Sequence, residues 1–101
     1  MLGWLLLGAL LGVGILTIAY VVSERITLSA IPRLIREALK TSSDEKASKL
    51  LGAYFKTHIS EIEENTITFE QLVEGSDEKV SIKITGTGID SGIRKGMELY
   101  C

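Results

Sequence analysis

The stretch Leu2–Val22, LGWLLLGALLGVGILTIAYVV, contains no charged side chain, and all 11 Lys and Arg and all 13 Asp and Glu of the 101-residue chain lie beyond it. As a helix rising about 1.5 Å per residue, this run would reach ~31 Å, the thickness of a bilayer's hydrocarbon core. A cleavable secretory signal needs a basic n-region and a small-residue cleavage site. Here only Met1 precedes the apolar run, and Tyr20, Val21 and Val22 are poor cleavage residues. The stretch therefore predicts a retained transmembrane helix over residues 1–22 and a membrane-anchored tail.

Orientation follows from the bias of Lys and Arg near a span. Arg25, Arg33, Arg36 and Lys40 follow the run, whereas only the α-amine precedes it. The expected topology is single-pass in a plasma or bacterial inner membrane, with the N-terminus outside and the C-terminal domain cytoplasmic. Trp4 and Tyr20, near the two ends, together with Arg25 just beyond, fit as membrane-interface anchors. Gly8 and Gly12 form a G-x-x-x-G pair, the spacing that lets two helix backbones approach closely, and mark a candidate helix-helix interface.

Working outward, Ile31, Leu34, Ile35, Ala38 and Leu39 recur at helical spacing, with Thr27 or Ser29 placed to cap the start and Pro32 tolerated in the first turn. The polar face carries Arg33, Arg36, Glu37 and Lys40. Two roles are open to this helix. Its stripe can cover a sheet in the tail, or lie in an anionic membrane surface with Arg33, Arg36 and Lys40 as lipid contacts. Ser42 and Glu45 match a capping box for a second helix bearing Ala47, Leu50, Leu51, Tyr54 and Phe55 on one face, with Gly52 an internal weakness.

From His58 onward the pattern favours strands, although His58, Ile59 and Ile62 also fit a continued helical stripe. HISEIE leads into a Glu64-Asn65 turn. TITFEQLV, residues 66–73, places Ile67 and Phe69 on one face, and residues 79–85 alternate with Val80, Ile82 and Ile84 inward. Glu70 and Glu74 are positioned for cross-strand pairs with Lys79 and Lys83. Asp90 or Ser91 suits the start of a single helical turn, and Met97 to Tyr100 a short last strand. The expected architecture is α+β: a transmembrane anchor, a juxtamembrane helical region over residues 23–57, and a small antiparallel sheet of three or four strands over residues 58–101, forming one compact domain with the helices.

Charge divides the tail again. Residues 23–60 hold seven basic and four acidic side chains, and residues 61–101 hold four basic and nine acidic. A basic collar beside an acidic sheet suits an anionic leaflet. One histidine, His58, and one cysteine, Cys101, are too few for a metal site of nitrogen and sulfur ligands. A Cys101–His58 nucleophile-base pair lacks an orienting third group. Gly86-x-Gly88 lacks the lysine-serine ending of a phosphate loop, and no basic stripe interleaved with aromatics marks a nucleic-acid surface.

These observations predict a non-catalytic interaction or scaffold protein, an accessory subunit of a membrane complex. Its partners would be membrane lipid and another membrane protein or itself through the transmembrane helix, with no nucleic acid, small-molecule substrate, cofactor or metal. Two alternatives share the pattern: a structural membrane protein of a phage or mobile element, and a surface sensor whose juxtamembrane helix binds anionic lipid.

Overall fold

Five of the seven residues of Ile15–Val21 (ILTIAYV) are β-branched or aromatic, and in the computed structural model, which describes residues 15–73 and 78–101, they form a strand, β1. Its side chains alternate, Leu16, Ile18 and Tyr20 turning towards the interior while Ile15, Thr17, Ala19 and Val21 face out. Among the described residues no helix is long and apolar enough to cross a membrane. The transmembrane helix over residues 1–22 is thereby overturned, and with it the single-pass placement in a plasma or inner membrane. An uncharged run has no phase to separate helix from strand, so the partner decides. That partner is a strand 64 positions downstream, aligned from Ile15 opposite Lys79 to Val21 opposite Thr85.

After β1 the chain makes a 3-10 turn at Leu28–Ala30, in which Thr27 Oγ1 accepts from the Ala30 amide, and enters helix α1, Ile31–Lys40. Helix α2 follows at Glu45–Leu51. Its cap is Asp44, whose carboxylate accepts from the Lys46 amide, while Ser42 Oγ accepts from the Asp44 amide one step earlier. The remaining strands are β2 (Lys56–Glu63), β3 (Thr66–Leu72), β4 (Lys79–Thr85) and β5 (Glu98–Tyr100). They form one sheet in the order β1-β4-β3-β2-β5, with β1 parallel to β4 and every other pair antiparallel. The small antiparallel sheet expected of the tail is thus a five-stranded mixed sheet, extended by the end of the supposed anchor.

Register builds the interior in rows. Ile18, Ile82, Phe69 and Ile59 stand side by side across four strands, and Tyr20, Ile84, Ile67 and Ile62 form the next row. Helix α1 lies over this face with Ile31, Leu34, Ile35, Ala38 and Leu39 all fully buried. Burying an Ile or Leu side chain is worth roughly 1.5–3 kcal/mol, so the stripe is held to the sheet by hydrophobic burial. A third row contains the polar pair Thr57 and Gln71. Thr57 Oγ1 donates to Gln71 Oε1 at 2.5 Å, and Gln71 Nε2 donates to the Val80 carbonyl at 2.6 Å, which meets the hydrogen-bonding needs of a buried amide.

Two local features shape the edges. Ser60 is an extra residue in β2, a bulge between Ile59 opposite Phe69 and Glu61 opposite Thr68. Gly86 and Gly88 lie where the segment after β1 runs alongside the segment after β4 in parallel: the Ile26 amide donates to the Gly88 carbonyl at 2.9 Å and the Thr87 amide to the Glu24 carbonyl at 3.0 Å. A Cβ on Gly86 would lie 2.6 Å from the Glu24 carbonyl oxygen, so this glycine serves close backbone approach. Residues 90–92 form a turn rather than a helical one.

Candidate functional site

Helix α2 ends at Leu51, with Gly52 as its C-cap, and the next three residues turn the chain into β2. Arg36 of α1 fixes this turn by donating to the carbonyls of Leu51 at 3.0 Å and Ala53 at 2.8 Å, and its guanidinium lies 5.9 Å from the Phe55 ring centre. Phe55 goes into the core, where its backbone pairs with Cys101 in both directions, at 3.1 and 2.8 Å. With Phe55 turned inward, Tyr54 turns outward. Its ring stacks on Tyr100 of β5 at 5.7 Å between centres and 18° between planes, yet Tyr54 stays 75% and Tyr100 57% exposed.

Beside this aromatic pair a groove of about 590 Å³ opens at the end of the sheet, between α2, the Tyr54 turn and the ends of β2, β3 and β4, lined by outer-face residues such as His58, Glu70 and Leu72 and by the interior pair Thr57 and Gln71. Its apolar surface includes Leu50, Tyr54, Phe55 and Leu72, and Leu72 is 62% exposed. Among the described residues, Lys49, Lys56 and Lys79 line it against Glu70 and Glu98. The Glu70 carboxylate lies 3.7 Å from Lys79 Nζ and 3.9 Å from His58 Nε2, and Lys56 Nζ lies 3.7 Å from Glu98. Such exposed pairs contribute about 0–1 kcal/mol each, so these charges set the field of the groove more than they hold the fold.

His58 and Cys101 do not form a pair. His58 projects from the outer face of β2, whereas Cys101 belongs to the core on the other side, 4% exposed, with its thiol pushed up to about 11 by burial despite the nearby Arg36 charge. A thiol held in its protonated form is a poor nucleophile. Among the described residues no group of three His, Cys, Asp or Glu is arranged to hold a metal ion.

The residues singled out in the sequence are dispersed. Trp4, Gly8 and Gly12 lie outside the described residues, as do Glu74 and the turn at residues 75–77. Tyr20 sits on the inner face of the edge strand β1 and donates its hydroxyl to Glu37 Oε1 at 3.1 Å; partial desolvation, then this bond, hold its phenol above the ordinary range. Arg25 Nε donates to Asp90 at 2.7 Å. Arg33 pairs with Glu24 and Glu37, contacts that hold its guanidinium charged. Arg36 is taken up by the α2 turn, and Lys40 is exposed at the end of α1.

The groove residues escaped the sequence because they come from α2, β2, β3 and β5. One signal was present. In the alternation of residues 66–73, Leu72 occupies the outward phase, an apolar side chain where Thr66, Thr68 and Glu70 set a polar pattern. Compared with family models, curated proteins and solved structures, the chain matches none.

Proposed function

We propose that this chain is a non-catalytic interaction module, an accessory or scaffold domain that docks a segment of a partner protein in the groove beside Tyr54 and Tyr100. The observation that carries this reading is the stacked but exposed tyrosine pair next to the exposed Leu72. Tyrosine supplies large, rigid contact area at low entropic cost and is enriched where protein surfaces meet. Among the described lining residues, three lysines against two glutamates favour an acidic segment, and Leu50, Tyr54, Phe55 and Leu72 offer apolar contact to its anchors. The apolar stripe of α1 is committed to the core, which leaves the groove at the end of the sheet as the better surface for a partner.

The test is a fluorescence anisotropy titration of the full chain with two labelled peptides, each carrying Leu and Phe anchors, one flanked by Asp and Glu and the other by Lys. Preferential binding of the acidic peptide, weakened at least about tenfold by Tyr54→Ser and by Lys56→Glu, supports the reading. Equal binding of the two peptides, or none of either, rejects it.

A further inference from the structure

The two edges of the sheet differ. Strand β5 is three residues long and begins at Glu98, the kind of short, charged edge that resists pairing with another chain. Strand β1 is seven residues long, has no charge, no proline and no bulge, and runs in unbroken register along β4. No strand among the described residues pairs with its other side. Ile15 and Val21, at its two ends, are 51% and 75% exposed.

We propose that β1 is a homotypic docking edge, receiving the β1 of a second copy in antiparallel pairing about a two-fold axis through Ile18 to join two five-stranded sheets into one. The two exposed apolar ends of the strand, Ile15 and Val21, favour its own copy as the occupant, since the two-fold brings them together. Pairing about Ile18 sets Ile15 opposite Val21, Leu16 opposite Tyr20 and Thr17 opposite Ala19, so each residue meets one from the same face of the sheet. The exposed Ile15 and Val21 then cover each other on the outer side, while Leu16 and Tyr20 extend the interior row. A charged strand laid on this edge would find no opposite charge on β1 to pair with, whereas the strand's own copy brings no charge. Two-fold contacts of this self-complementary kind are the commonest route to a symmetric oligomer. The edge is separate from the groove, which no β1 residue lines.

The experiment is sedimentation equilibrium of the full chain over a concentration series, with and without nonionic detergent. Wild type is expected at twice the 11.0 kDa chain mass. Thr17→Lys/Ala19→Lys changes only outward, exposed positions and sets lysines against lysines across the axis. It is expected to raise the dimer dissociation constant roughly a hundredfold with an unchanged circular dichroism spectrum. Mixing it with Thr17→Glu/Ala19→Glu is expected to restore a dimer, which a merely misfolded variant would not do. A wild-type monomer, a monomer whose β1 amides resist hydrogen exchange because the chain covers its own edge, or a dimer that survives the lysine pair would each overturn the proposal.

Discussion

Ile18 on β1 stands directly opposite Ile82 on β4 in parallel register, 6% and 0% exposed, at the start of a row that continues to Phe69 and Ile59. Truncating a buried Ile removes transfer energy and leaves a cavity, so Ile18→Ala is expected to cost about 2–4 kcal/mol in urea unfolding. Ala19→Ser, one position away but facing out, is expected to stay within ~0.5 kcal/mol. Equal effects at the two positions would contradict the alternation of β1.

The buried Thr57–Gln71 pair makes a prediction of non-additivity. Thr57→Val leaves Gln71 Oε1 without its donor and is expected to cost about 1–3 kcal/mol. Thr57→Val combined with Gln71→Leu leaves neither side chain unsatisfied. The double variant is therefore expected to be less destabilised than the sum of the singles, a coupling that a double-mutant cycle of urea midpoints measures directly.

Gly86 and Gly92 are expected to respond unequally to the same change. At Gly86 the new methyl group meets the Glu24 carbonyl and the Ile26 side chain, and Gly86→Ala is expected to lose ~1–3 kcal/mol as the two paired segments separate. At Gly92 nothing lies within 4 Å of the added carbon, and Gly92→Ala is expected to change stability by less than about 0.5 kcal/mol. Thermal unfolding of the two variants side by side is the check.

Alkaline pH is expected to weaken the fold. Burial raises the Cys101 thiol from 9.0 to about 11, so the folded chain keeps this proton where the unfolded chain has released it. The stability contributed by the neutral thiol is complete below pH 9.0 and is lost as pH rises towards about 11. Tyr20, raised above 10.0, acts in the same direction. Urea midpoints should fall across this window, and less steeply in Cys101→Ala; an unchanged slope in that variant would show that Cys101 contributes nothing to it.

The parts of the fold legible in the sequence are those where hydrophobicity has a phase. The five apolar positions of α1 are the five that are fully buried, and the inward residues of β4 are Val80, Ile82 and Ile84. Residues 15–21 have no such phase. Leu16 and Ile15 are alike on a hydropathy scale and differ only in which side of a strand they face, which the pairing with β4 decides. The second helix was expected to run on through Tyr54 and Phe55, but it stops at Leu51, where Gly52 ends the turn and Arg36, a residue 15 positions earlier, takes the free carbonyl. The groove was legible only in Leu72, because the Tyr54–Tyr100 stack depends on β5 pairing beside β2.

The parallel pairing of β1 with β4 also imposes an order in time. Ile15 cannot meet Lys79, nor Val21 meet Thr85, until some 64 further residues have been made. At about 5–20 residues per second, an uncharged strand with strong β propensity waits roughly 3–13 seconds for its partner during synthesis. The antiparallel β2–β3–β4 meander can form as it emerges, so β1, made before these three strands, is placed only after them. Nascent chains of this protein therefore carry an uncharged β-forming strand without its β4 partner until residue 85 has been made, the kind of open edge that risks pairing with another chain.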